Sequence, residues 1–186
     1  MNLDQYEKET QRTFAYRQSM LDTKTLDLLH CAIGISTEAG ELLHAQYSMD
    51  KINIGEEIAD QMWYASNMLR FIERTIDEDE VKKVIADNMM FEPLSYVNTS
   101  VQYASELLDL FKKHIYYGTE LSYDKIYMVL VQIVITLYDL CKSYKLDMNK
   151  LLDNNINKLR IRFPEKFTQE LAENRDLGAE RKELEK

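Results

Sequence analysis

Residues 23–72, TKTLDLLHCAIGISTEAGELLHAQYSMDKINIGEEIADQMWYASNMLRFI, decide the fold. Apolar residues in this stretch recur at intervals of three and four, the period of an amphipathic helix, and never settle into the alternation of a strand. Asp22 or Thr23 can cap a helix whose inner stripe holds Leu26, Leu29, His30, Ile33 and Leu42. The pattern breaks from Tyr47 to Ile54. A second helix is expected from about Gly55, with Ile58, Met62, Ala65, Leu69 and Ile72 on its buried side.

The same reading extends outward in both directions. With only 5 Gly and 2 Pro in 186 residues, little interrupts long helices, and the expected fold is an all-α bundle in one domain, 1–186. An N-terminal helix is expected from Leu3 to Met20, with Tyr6, Thr10, Thr13 and Phe14 near one face. The acidic stretch Asp77 to Glu80 and the segment Pro93 to Thr99 punctuate the middle. Beyond them, Val101, Ala104, Leu108 and Phe111 mark a helix ending near Gly118, and a strongly apolar helix follows from Tyr123 to Tyr144. Residues 95–146 thus form a second helix pair. Glu41-Leu42-Leu43 in the first pair is paralleled by Glu106-Leu107-Leu108 in the second, which suggests a degenerate repeat. The charged tail Thr168 to Lys186 reads as a helix that must dock on something, either its own bundle or another copy in a homo-oligomer such as a dimer.

Charge and cysteine usage narrow the function. Thirty-two acidic against 23 basic residues leave a net charge of −9, the wrong sign for a protein that binds a nucleic-acid polymer through its phosphates. The apolar fraction of 45% is enough for a core. Cys31 and Cys141 stand far apart with no Cys-x-x-Cys, and are expected as reduced, buried thiols of a cytoplasmic protein. No apolar leader opens the sequence, and no stretch reads as the roughly 20 apolar residues of a membrane span.

The chemistry lies in the first helix pair, within residues 1–76. Glu38 and Glu41 are three apart, as are Glu57 and Asp60, so each pair shares a face of its own helix and borders the apolar stripe. Four converging carboxylates would repel one another without a cation, and an oxygen-only donor set suits Mg²⁺, with Mn²⁺ as a substitute. The competing reading is ordinary solvated acids on helix surfaces. A di-iron carboxylate bundle is a further alternative, since Glu41 and His44 form a Glu-x-x-His, but no second copy of that pair exists. Lys158 and Arg162 are four apart, so one helix face, with Asn155 a turn earlier, can present both cations; surface charge ahead of the Phe163-Pro164 break is the plainer alternative.

These residues carry a resemblance. Thr37-Glu38-Ala39-Gly40-Glu41, followed by Glu56-Glu57-Ile58-Ala59-Asp60-Gln61-Met62-Trp63-Tyr64, resembles the Glu-x-x-Glu, spacer, Glu-x-x-Asp signature of the MazG-like all-α nucleoside triphosphate pyrophosphohydrolases. Asn155 to Phe167, with Lys158, Arg162 and Pro164, is similar to a segment that follows the core helices in phage and bacterial members, as is the tail Asn174-Arg175-Asp176 with Glu180-Arg181. The resemblance implies Mg²⁺-dependent hydrolysis of a nucleotide to its monophosphate and pyrophosphate. Glu38, Glu41, Glu57 and Asp60 would hold the metal, with Glu41, beside Glu38, orienting or deprotonating the attacking water. Asn155, Lys158 and Arg162 would contact phosphate in the segment 147–186, and Tyr64 is either a further phosphate contact or a packing aromatic. His30 and Gly34 lie in four-residue steps before Glu38 and, with Gln11, Arg12 and Phe14, are candidates for the base and sugar. If residues 95–146 are a repeat, Lys125, Met128, Gln132 and Tyr103 replace Glu57, Asp60, Tyr64 and Glu38, giving a pseudo-dimer with one working site, similar to the dimeric dUTPases. A scaffold that kept the fold as a catalytically silent binding protein is the rival, and the four intact acids oppose it.

Overall fold

The computed structural model describes residues 2–11, 14–16 and 20–186; Arg12 and Thr13 lie outside them. Those residues form nine α-helices and no strand, so the chain is all-α. Its centre is two antiparallel hairpins. Helices α2 (Thr23–Ser48) and α3 (Lys51–Phe71) make the first, and α5 (Pro93–Tyr117) and α6 (Tyr123–Tyr144) the second. Helix α2 packs on α5 and α3 on α6, so the two hairpins close into a four-helix arrangement.

Caps set most boundaries. Asp22 accepts from the Thr25 N–H at 2.9 Å and starts α2, while Gly118, at φ 69°, ends α5 in the left-handed conformation glycine tolerates. The first hairpin is tighter than the sequence suggested. Met49 (φ 55°) closes α2, and the Asp50 carboxylate immediately accepts from the Ile52 and Asn53 N–H groups, so α3 starts at Lys51 rather than near Gly55.

Three further expectations are corrected. Helix α1 spans only Leu3–Gln11, not the whole run to Met20, and Leu3 and Tyr6 stay exposed. Asp77 to Glu80 starts a helix instead of breaking one: Asp77 caps α4 (Glu78–Asp87), and the acids of its first turn suit the positive end of the helix dipole. Pro93 is likewise the first residue of α5, where its missing N–H costs nothing.

The core is aliphatic and continuous. Leu28, Ile35 and Leu42 of α2 meet Ile54, Ile58 and Met68 of α3, together with Leu107 and Phe111 of α5 and Leu130 and Ile133 of α6. Each such side chain contributes about 1.5–3 kcal/mol by leaving water. The buried side of α2 therefore differs from the expected stripe, for Leu26 and Ile33 are 48% and 47% exposed. Helix α6, 22 residues long with a mean hydropathy of 1.5 over an 18-residue window, is long and apolar enough by composition to cross a membrane, contrary to the expectation. It is covered by α3, α4 and α5, which accounts for its apolar character as a core helix. Cys31 and Cys141 are buried free thiols.

Helix α7 (Met148–Arg162) leans on α3 and stops at Phe163-Pro164 as the sequence indicated. The tail then forms two short helices, α8 (Gln169–Glu173) and α9 (Leu177–Leu184), rather than one. Helix α9 returns over α7 and reaches the start of α3, where the Arg181 guanidinium meets Asn53 and Asp50. This return brings the tail back to the edge of the carboxylate site.

Candidate metal and nucleotide site

Glu38 and Glu41 stand one turn apart on α2, and the tight Met49–Asp50 turn brings Glu57 of α3 opposite them. One carboxylate oxygen from each lies within 4.8 Å of the others, with Glu57 buried, Glu38 half-buried and Glu41 exposed. Burial pushes the Glu57 carboxyl up to about 9, assisted by its hydrogen bond to Glu38 and by the charges of Glu38, Glu41 and Glu56. Burial also raises Glu38, as do the charges of Asp60 and Glu41. Without a cation, Glu57 therefore holds a proton and donates it to Glu38. A divalent ion can replace that proton, and three carboxylates from two helices form the all-oxygen donor set that Mg²⁺ favours, with coordination positions left for water or phosphate.

Asp60, expected as the fourth ligand, is turned elsewhere. Its two oxygens accept from the Lys158 ammonium at 2.9 and 2.7 Å, and the Asn155 amide donates to the same carboxylate. Lys158 is 1% exposed and also reaches Glu56 at 3.1 Å, so its three N–H donors have acceptors inside the protein. Asn155 and Lys158 do share a face of α7, but that face meets α3 instead of standing open for phosphate. Arg162, one turn further, gives its Nε and Nη2 hydrogens to Glu180 of α9.

A cavity of about 660 Å³ opens beside these groups, within the range of small-molecule sites. Glu38, Asp60 and Arg162 form its polar side, and His30, Trp63, Tyr64, Phe163 and Phe167 supply aromatic walls. Tyr64 is the pivot, edge-on to His30 with ring centres 5.8 Å apart and to Trp63 at 4.9 Å. Its hydroxyl is pushed above the usual tyrosine range by burial and by the charges of Glu38 and Asp60, so it stays a neutral donor.

Gly34 makes room for that ring. A Cβ built there would come within 2.4 Å of Tyr64. Gly34→Ala should gain up to about 1 kcal/mol of helix propensity and lose about 1–3 kcal/mol to overpacking. The expected net result is a lower urea midpoint and a displaced Tyr64, read from tyrosine and tryptophan fluorescence; an unchanged or raised midpoint would show that the ring gives way freely. Of the other base and sugar candidates, His30 lines the cavity, whereas Gln11 and Phe14 do not. Phe14 instead packs edge-on to Tyr16 at 5.0 Å.

Several residues at the site carried no individual signal in the sequence. Glu56 directly precedes Glu57 and reads as one more surface acid, yet it shares Lys158. Trp63, Phe163 and Phe167 stand in the resembling segments with no role of their own. Glu180 is 2% exposed and receives both Arg162 and Arg175; although burial opposes its charge, the two guanidiniums hold its carboxyl down to about 2. Only pairing within the charged tail could have hinted at it.

No protein-family model, curated protein or solved structure matches the chain. Fold and site together define a class in chemical terms: an all-α chain whose first hairpin sets a carboxylate cluster against an aromatic and cationic cavity.

Proposed function

We propose that the chain is a Mg²⁺-dependent nucleoside triphosphate pyrophosphohydrolase of the MazG-like all-α type, acting in nucleotide-pool control. One observation carries the reading: Glu38, Glu41 and Glu57 converge within 4.8 Å, and Glu38 also lines a cavity of about 660 Å³ that has aromatic walls. Bound there, a divalent ion would neutralise phosphate charge and lower the pKa of a water ligand. Glu41, the most open of the three, would orient or deprotonate the attacking water, with Glu38 beside it. Aromatic faces suit a nucleobase by stacking. His44 is exposed and not among the three grouped residues, which gives the di-iron alternative no histidine ligand.

The second hairpin fits a repeat that has lost its metal chemistry. Between α5 and α6 lies a smaller cavity of about 310 Å³, lined by Tyr103, Glu106, Met128 and Gln132 among others. Of the equivalents of the metal set, only Glu106, opposite number of Glu41, keeps a carboxylate. Tyr103 donates to Gln132 at 3.4 Å, a neutral bond at the position of Glu38 and Tyr64.

The test is pyrophosphate release from a panel of dNTPs and NTPs with Mg²⁺. Glu41→Gln should lower kcat by about 10²–10⁴, the usual contribution of a positioned general base. Turnover indifferent to this substitution would remove Glu41 from the mechanism.

A further inference from the structure

We infer that Arg175, held with Arg162 on the buried Glu180, forms a two-guanidinium clamp for the phosphate chain of the nucleotide, with Glu180 as the positioning residue. This rests on the pyrophosphohydrolase reading and adds to it a binding group supplied by the C-terminal tail.

The geometry is that of a built site. Glu180 stands in the first turn of α9, 2% exposed, and accepts Arg162 Nε at 3.0 Å, Arg175 Nη2 at 2.7 Å and the remaining donor of each fork. A guanidinium has five N–H donors in one plane, and each of these spends two on Glu180. Among the described residues no other side chain accepts from either guanidinium, so the remaining donors of both are available. The Arg162 side chain, 17% exposed, lines the large cavity together with Glu38 and Asp60. Arg175, at 38%, is the more open of the two and lies within electrostatic reach of Glu56 and of Asp60, which lines the same cavity as Arg162.

Charge favours an anion at this point. Lys158 is consumed by Glu56 and Asp60, so it offers a phosphate nothing. Two guanidiniums on one carboxylate instead leave a local surplus of one positive charge in a chain whose net charge is −9. Planar forks with unspent donors match phosphate oxygens two at a time. Because a single carboxylate fixes both forks, their freedom is lost on folding and not on binding.

The same ion pairs could serve only to dock α9. A control separates the roles, because Arg181 anchors the same helix to Asp50 and Asn53, none of which lines the cavity. The experiment titrates full-length protein with inorganic tripolyphosphate in Mg²⁺ by calorimetry and measures KM and kcat for dNTPs on the same preparations. Arg175→Ala should weaken tripolyphosphate binding and raise KM by about tenfold or more, the scale of a lost charge-assisted bond, with kcat less affected. Arg181→Ala should stay within about twofold of wild type, the scale of an exposed pair. If Arg175→Ala fails to fold, Arg175→Lys keeps the charge without the fork and should show an intermediate loss. Equal losses in the Arg175 and Arg181 variants, or no tripolyphosphate binding by wild type, would overturn the clamp. Unchanged binding in Arg175→Ala or Arg175→Lys would do the same. Wild-type turnover in those cases would leave the enzyme reading standing, and its absence on every nucleotide would remove that reading instead.

Discussion

Glu57→Gln is expected to abolish pyrophosphate release and, at the same time, to make the metal-free chain harder to melt. Glu57 is the buried member of the cluster, raised to about 9 by burial and by the carboxylates around it. A group whose folded pKa lies above its unfolded value contributes its full stability below the unfolded pKa, near 4.5, and loses it as pH rises toward the folded value. The metal-free wild type should therefore lose thermal stability between about pH 4.5 and pH 9. Glutamine keeps the hydrogen bond to Glu38 and has no proton to lose, so the variant should be much less pH-dependent than wild type over this window and melt several degrees higher at its upper end, since about 1 kcal/mol is worth roughly 2–4 °C at this chain length. Added Mg²⁺ should reverse the order. It requires the ionised carboxylates, so its effect should grow with pH in wild type and be lost in the variant. Melting curves at several pH values, with and without Mg²⁺, read both halves. A wild type as pH-insensitive as Glu57→Gln would mean that the cluster does not repel itself.

Lys158→Met is expected to be the most destabilising single substitution at the site. Lys158 neutralises Asp60 and Glu56 from inside the protein, at 1% exposure. Removing it leaves two carboxylates facing one another without a cation, and breaking a buried pair from one side costs about 3–5 kcal/mol. Asp60 and Glu56 are 23% and 19% exposed, which places the expected loss at the lower end, about 3 kcal/mol. Urea denaturation measures it. The double variant Lys158→Met with Asp60→Asn should recover much of the loss, because the uncompensated charge is what costs most. A surface lysine reserved for phosphate would change stability by less than about 0.5 kcal/mol. The same experiment thus separates the pairing seen here from the open phosphate contact expected for Lys158 in the sequence.

The contrast between Lys158 and Glu57 shows what was legible in the sequence and what was not. Spacing put Asn155, Lys158 and Arg162 on one face of α7, and Pro164 ended that helix on schedule. Spacing could not say which neighbour that face meets. Glu57 and Asp60, three apart on α3, diverge in use: one joins Glu38 and Glu41, while the other takes Lys158, a partner 98 residues away. The same limit moved the buried side of α2. Leu26 and Ile33 keep helical spacing as well as Leu28 and Ile35 do, and only the packing of α5 and α3 selects the second pair, while Leu42 is buried and Leu29 packs on the core as expected. Strong local signals fared best, among them Gly118 and the strongly apolar segment from Tyr123 to Tyr144. Weak ones misled where a short side chain did the work of a longer signal. Asp50 and Asp77 each start a helix with one carboxylate, in segments whose polar character read as interruption. Glu180 was the least legible residue, for its burial depends on two arginines and on a tail that folds back over α7.

The central claim is that this cluster cleaves a nucleotide between its α and β phosphates with a divalent ion. Product analysis tests it most directly, by ³¹P NMR of dNTPs and NTPs incubated with wild-type protein and Mg²⁺. The expected result is equimolar nucleoside monophosphate and pyrophosphate from at least one nucleotide, abolished by chelation of the metal. Nucleoside diphosphate with orthophosphate, or an unchanged spectrum for every nucleotide, would contradict it.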